Sequence, residues 1–182
     1  GTLANTDAST NGGSIGVGYS GDRVQVGAAF RATSFEFGVP FPTDGEAIRL
    51  DGLRTQGAMR ATVNTGAGLI PTVRVDGTVQ RYEHDEIEPD GAVGTSFLLN
   101  TQTVNVMART QGKRLTGTIG LQGYFRDYKP TGEEAFTPGA TNRNVGLLLF
   151  QELPLRRAVR TDARVPKLQL GARYDWFTLQ TK

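Results

Sequence analysis

Residues 115–128 read LTGTIGLQGYFRDY, and the alternation within them decides the fold. The odd positions Leu115, Gly117, Ile119, Leu121, Gly123 and Phe125 are apolar or small. The even positions Thr116, Thr118, Gly120, Gln122, Tyr124 and Arg126 are mostly polar. A period of two marks a strand with unlike faces. Residues 144–151 return the pattern, with Val145, Leu147 and Leu149 on one face. Between them runs KPTGEEAFTPGATNR, where Pro130, Gly132, Pro138 and Gly139 break regular structure. A long, cleanly alternating strand with a wide loop at one end is unusual in a small soluble sandwich. It is the normal unit of an outer-membrane barrel.

Working outward, the same pattern recurs along the chain. Residues 14–19 alternate through Ile15, Val17 and Tyr19, and 20–22 form a tight turn. In 23–37, Val24, Val26, Ala28, Phe30 and Ala32 oppose Arg23, Gln25, Gly27, Ala29 and Arg31. Further strands are predicted over 47–64, 71–82, 95–110 and 168–177, with an acidic loop over 83–94 and an irregular lead-in over 1–13. The expected fold is all-β: an antiparallel up-and-down meander of about eight long strands, part of a transmembrane β-barrel. One barrel segment over 1–182 is expected, with short turns alternating with long loops. Tyr82, Tyr124, Phe125, Tyr174 and Trp176 sit near strand ends, where a girdle at the membrane interface is expected. Arg54, Arg60, Arg74, Gln80, Gln122 and Arg126 fall on polar faces. In a large barrel that face lines a wet lumen; in a soluble sandwich it is simply solvated.

Composition narrows the classes. With 24 glycines and only 37% hydrophobic residues, the chain is glycine-rich and poor in core formers. It has no cysteine, which excludes disulfides and thiolate metal sites. A net charge of +2, with basic residues scattered apart from one cluster in 156–164, leaves no nucleic-acid footprint. No apolar run approaches the ~20 residues of a spanning helix, a test to which barrel strands are blind. The start, GTLANTDASTNGG, does not read as a signal peptide.

Chemistry-bearing residues are few. His84 is the only histidine, and it is flanked by Glu83, Asp85 and Glu86. Imidazole with carboxylates suits zinc, and Glu133 and Glu134, with Asp44 and Glu46, complete a candidate cation-attracting rim. The same residues fit ordinary solvated acidic loops. Gly16-Val17-Gly18-Tyr19-Ser20-Gly21 matches the dinucleotide pattern, but Asp22 leads into alternating strand residues rather than a helix. With no nucleophile set beside a base, and adjacent acids in a Pro/Gly-rich loop, a non-enzyme is expected.

Several stretches together resemble one family. Leu3-Ala4-Asn5-Thr6-Asp7, residues 27–37 running into Gly38-Val39-Pro40, and Tyr82-Glu83-His84-Asp85-Glu86-Ile87-Glu88 resemble the first barrel strands of TonB-dependent outer-membrane receptors. So do 132–138, 144–152 and the closing Leu170-Gly171-Ala172-Arg173-Tyr174-Asp175. The resemblance spans most of the chain in matching order, and the stretch 82–88 is most similar to a zinc-uptake subgroup. It implies a plugged barrel of about 22 strands in the outer membrane of a diderm bacterium, of which this is the first third or so. It also implies outer-membrane lipid as surroundings, coupling to TonB through the missing plug, and a small nutrient ligand. No resident cofactor is implied; zinc or an iron complex would be cargo. The chain ends in Thr181-Lys182 instead of the terminal aromatic usual in that class. Two other readings stay open: a complete eight-stranded outer-membrane barrel with a structural or adhesion role, and a soluble β-sheet binding module.

Overall fold

The structure is a computed structural model that describes residues 4–40, 47–66, 68–133, 135–155 and 165–182. Asp44, Glu46, Glu134 and the basic cluster of 156–164 lie outside the described residues. The described residues form eight strands: β1 (Ala8–Ser20), β2 (Val24–Gly38), β3 (Arg49–Asn64), β4 (Thr72–Ile87), β5 (Val93–Gln111), β6 (Thr116–Gly132), β7 (Ala140–Pro154) and β8 (Lys167–Thr181). They make one antiparallel sheet in the order β1 to β8, each strand paired with its chain neighbours. The meander is as the alternation predicts. The sheet is not closed, because β1 and β8 are its two edges.

The strands run further than the sequence pattern suggests. The lead-in expected over 1–13 is strand from Ala8, which pairs with Phe37. The acidic loop expected over 83–94 is strand to Ile87 and again from Val93, leaving 88–92 as the connection. β6 continues through Pro130 to Gly132, and β8 extends to Thr181. These extensions are mostly polar or small on both faces, with only the isolated Ile87, Val93 and Leu179 as large apolar residues. Alternation of hydrophobicity fades there, while backbone pairing continues. The expected rhythm of short and long connections weakens for the same reason: 88–92 is shorter than 65–71 at the opposite end of the sheet.

Register sorts the side chains into two faces. On one, Val63, Val73, Ala108, Ile119, Leu149 and Ala172 lie in a single cross-strand row. The next rows, two residues further along each strand, carry Val75, Val106, Leu121 and Leu147, then Met59, Val104, Val145 and Trp176. One row on, Gln102 and Arg143 appear beside Val79 and Phe125. Beyond it the same face turns charged, with Arg81, Glu83, Asp127 and Lys129. The apolar stretch is a band. On β2 it runs from Val24 to Ala32; on β8 it runs from Leu168 to Trp176, displaced by four residues against the pairing rows.

Nothing in the sheet covers that band. Among the described residues no hydrophobic side chain is buried; Val17 is 77% exposed and Trp176 71%. A soluble domain of this size hides most of its large apolar side chains. An apolar face this large marks a surface that meets lipid or protein.

Above the band, ion pairs knit the charged zone together. Arg49 bridges Asp7 (2.9 Å) and Glu36 (2.7 Å), Arg81 meets Glu83 (2.7 Å), and Asp127 takes Lys129 (3.1 Å) and Lys182 (2.6 Å). Exposed pairs of this kind add little stability each. Asn5 ties the segment before β1 to the β2–β3 end, donating from Nδ2 to the carbonyls of Val39 and Ile48.

Candidate functional site

The second face carries the chemistry. Arg54, Arg60, Arg74, Gln80, Gln122 and Arg126 all project from it. Its pairing rows are layered. One row joins Phe35, Gly52, His84, Phe97 and Pro130, and the next joins Thr33, Arg54, Tyr82, Leu99 and Tyr128. The third joins Arg31, Gln56, Gln80, Thr101, Arg126 and Asn142. Further down come Arg60, Asp76, Asn105 and Gln122, then Arg74, Met107, Leu148 and Arg173.

His84 is not a loop residue. It sits in β4 on the polar face, its ring stacked on Phe97 at 4.6 Å and 13° and tilted against Tyr82 at 5.3 Å. Strand alternation sends Asp85 and Glu83 to the opposite face and leaves Glu86 on His84's own. Glu133 stands in the turn after β6, and Glu134 lies outside the described residues. The cluster read as one acidic loop is therefore divided between two faces, and among the described residues no three histidine or carboxylate side chains gather as metal ligands. Burial pushes the His84 imidazole below its ordinary pKa, against the upward pull of Glu86 and Asp85. Its Nδ1 is buried without a hydrogen-bond partner.

His84 belongs to a row of rings that the sequence does not announce. Phe37, Phe35, Tyr82, His84, Phe97 and Tyr128 follow one another across β2 to β6, with centroids 6.0, 5.7, 5.3, 4.6 and 6.2 Å apart. Gly52 makes it possible, since a Cβ there would run into the Phe35 ring. Most neighbours are near parallel, so the interior rings turn their faces to one another and leave mainly edges for solvent. The row is better built to stiffen the strands than to serve as a stacking platform. It also corrects the expected girdle. Tyr82 and Tyr124 stand on the polar face, whereas Phe125, Tyr174 and Trp176 stand on the apolar one, so the five cannot form one belt.

The guanidinium groups fall into two kinds. Arg60 and Arg74 both pair with Asp76, the latter at 2.7 Å. Arg173 pairs with Asp175 at 2.6 Å and donates to Gln122 at 2.8 Å. Arg54 and Arg126 instead lie over the rings of Tyr82 and Tyr124, each 5.3 Å from the centroid. These two, Arg31 and, at the far end of the face, Arg109 have no carboxylate partner among the described residues. The neighbours of Arg126 in its row, Thr101 and Asn142, each hold a buried side-chain oxygen with no hydrogen bond. The chain matches no protein-family model and no curated protein.

Proposed function

We propose that this chain is a stretch of outer-membrane barrel wall, with its apolar band against lipid and its polar face toward a lumen. Within that class, the residues quoted from 3–7, 82–88 and 170–175 resemble TonB-dependent receptors, so the parent function proposed is uptake of a scarce nutrient across the outer membrane. One observation carries the reading: the sheet has no buried hydrophobic side chain among its described residues, yet one face is continuously apolar over three rows.

The shape of the band supports a slab of lipid rather than a protein partner. On β2 and on β8 it runs over eight residue steps, about 26 Å of strand, against a lipid-facing band of about 25 Å in such barrels. Its displacement between β2 and β8 is what tilted strands produce when they cross a flat layer. Four residues of ~3.3 Å over six strand spacings of ~4.8 Å give a slope of about 25°, somewhat below the usual 35–45°. The strands overrun the band at the end bearing the ring row, as barrel strands do on the outer side. The small closed barrel is disfavoured by the unpaired β1 and β8. The soluble module is disfavoured by the missing core.

The test is cysteine labelling after export into bacterial outer membranes. Leu121→Cys and Leu147→Cys should resist a water-soluble maleimide, and Gln80→Cys and Gln122→Cys should react with it once the membrane is permeabilised. Equal labelling of both sets sinks the reading.

A further inference from the structure

We infer that the belt of Arg31, Arg54 and Arg126 binds a small solute bearing carboxylate or phosphate oxygens. This rests on the reading of the polar face as a lumen wall, and it reverses the charge of the cargo that His84 and its acidic neighbours suggest.

Three observations converge on the belt. First, no carboxylate among the described residues neutralises its three guanidinium groups, while lower down Arg60, Arg74 and Arg173 are paired, with Arg109 unpaired beyond them. A wall with unpaired cations concentrates anions from solution. Second, Arg54 and Arg126 rest on tyrosine rings, which hold the planar fork in place and leave its N–H groups unused. Third, Thr101 and Asn142, on either side of Arg126, have buried oxygens without partners. The Thr101 hydroxyl can donate to an arriving oxygen, whereas the orphaned Asn142 Oδ1 is a carbonyl oxygen that only accepts and calls for a hydroxyl or N–H on the same solute. Buried polar groups left unpaired in a folded protein point to a group that arrives later. Three guanidinium groups and one hydroxyl make the set rich in donors, so that group is rich in acceptors. Arg side chains meet carboxylate and phosphate oxygens in a two-pronged geometry that few other anions match.

A bare divalent cation fits poorly here. Of the acids beside it only Glu86 shares the face of His84, and Glu83 and Asp85 project from the other. Arg54 lies two residues from Gly52, the pairing partner of His84, so a cation at His84 would approach an uncompensated positive charge.

The experiment is calorimetric titration of the chain, folded in neutral detergent micelles, with citrate, inorganic pyrophosphate, zinc chloride and a short polyglutamate peptide in turn. Citrate and pyrophosphate should bind. Their affinity should fall at least tenfold in the Arg31→Gln/Arg54→Gln/Arg126→Gln variant and weaken as sodium chloride rises. If that variant loses its sheet signal in circular dichroism, the three single variants take its place in the same titration. Anion binding that is absent, or unchanged in the variants, overturns the inference. Zinc binding more tightly than either anion overturns it as well. Polyglutamate binding far more tightly than citrate would assign the belt to a protein contact and overturn it too. The labelling pattern is read separately: protected Leu121 and Leu147 without anion binding removes only this inference, and anion binding without protection removes only the membrane reading.

Discussion

At the scale of single residues, His84 and Gly52 are the most exacting positions. A neutral His84 ring is stacked within the row, and burial holds its pKa below the ordinary 6.5. The unfolded chain therefore takes up more protons than the folded one as pH falls through that value. Its contribution to stability is present above pH 6.5 and is lost as pH falls from there through the lowered folded value. Hydrogen exchange of β4 and β5 amides, corrected for intrinsic rates, should show faster opening at pH 5.5 than at pH 7.5. His84→Phe should remove that difference, and an unchanged difference would acquit His84. Gly52 is a matter of room. Gly52→Val drives a branched side chain into the Phe35 ring and should cost about 1–3 kcal/mol in denaturant unfolding. A neutral result would mean that the row is loosely held.

At the scale of strands, what the sequence makes legible is hydrophobic alternation, and it fails where alternation fails. β6 is readable because Ile119, Leu121 and Phe125 alternate with Thr118, Gln122 and Arg126. The start of β1, ASTNGG, gives no such signal, yet each of those residues has a pairing partner on β2. The run 83–87 reads as loop because it is acidic, although in the sheet those acids alternate between faces. The six polar-face residues follow from period two alone. The ring row does not, because it is assembled across five strands and depends on register, which spacing within one strand cannot give. The unpaired state of Arg31, Arg54 and Arg126 is hidden for the same reason. A strand-scale prediction follows from the band. In a folding assay in lipid vesicles, Val106→Arg should cost about 2–4 kcal/mol, whereas Asn100→Arg, three rows away in the polar zone of the same face, should cost about 1 kcal/mol or less. Equal costs would mean that no lipid layer discriminates the two rows.

At the scale of the molecule, the sheet is held by backbone pairing and cross-strand contacts rather than by a core. Cysteines placed at Val17 and Ala172, on opposite edges, should form no disulfide within a monomer after membrane insertion. An intramolecular bridge would restore the small closed barrel. β1 is also an unguarded edge, with no charge, proline or bulge among its residues Ala8–Ser20 to discourage further pairing. Solubilised chains should therefore associate in a concentration-dependent manner, which analytical ultracentrifugation in detergent can follow. A strictly monomeric chain over a hundredfold range of concentration would show that its edges are protected by other means.

The open sheet carries an arithmetic consequence. With eight strands in strict alternation, β1 and β8 point in opposite directions. Whatever completes the circuit from β8 back to β1 with antiparallel neighbours throughout must contribute an even number of strands. A single added strand, or any odd set, would force one parallel seam, and parity alone thus limits the rings this wall can join.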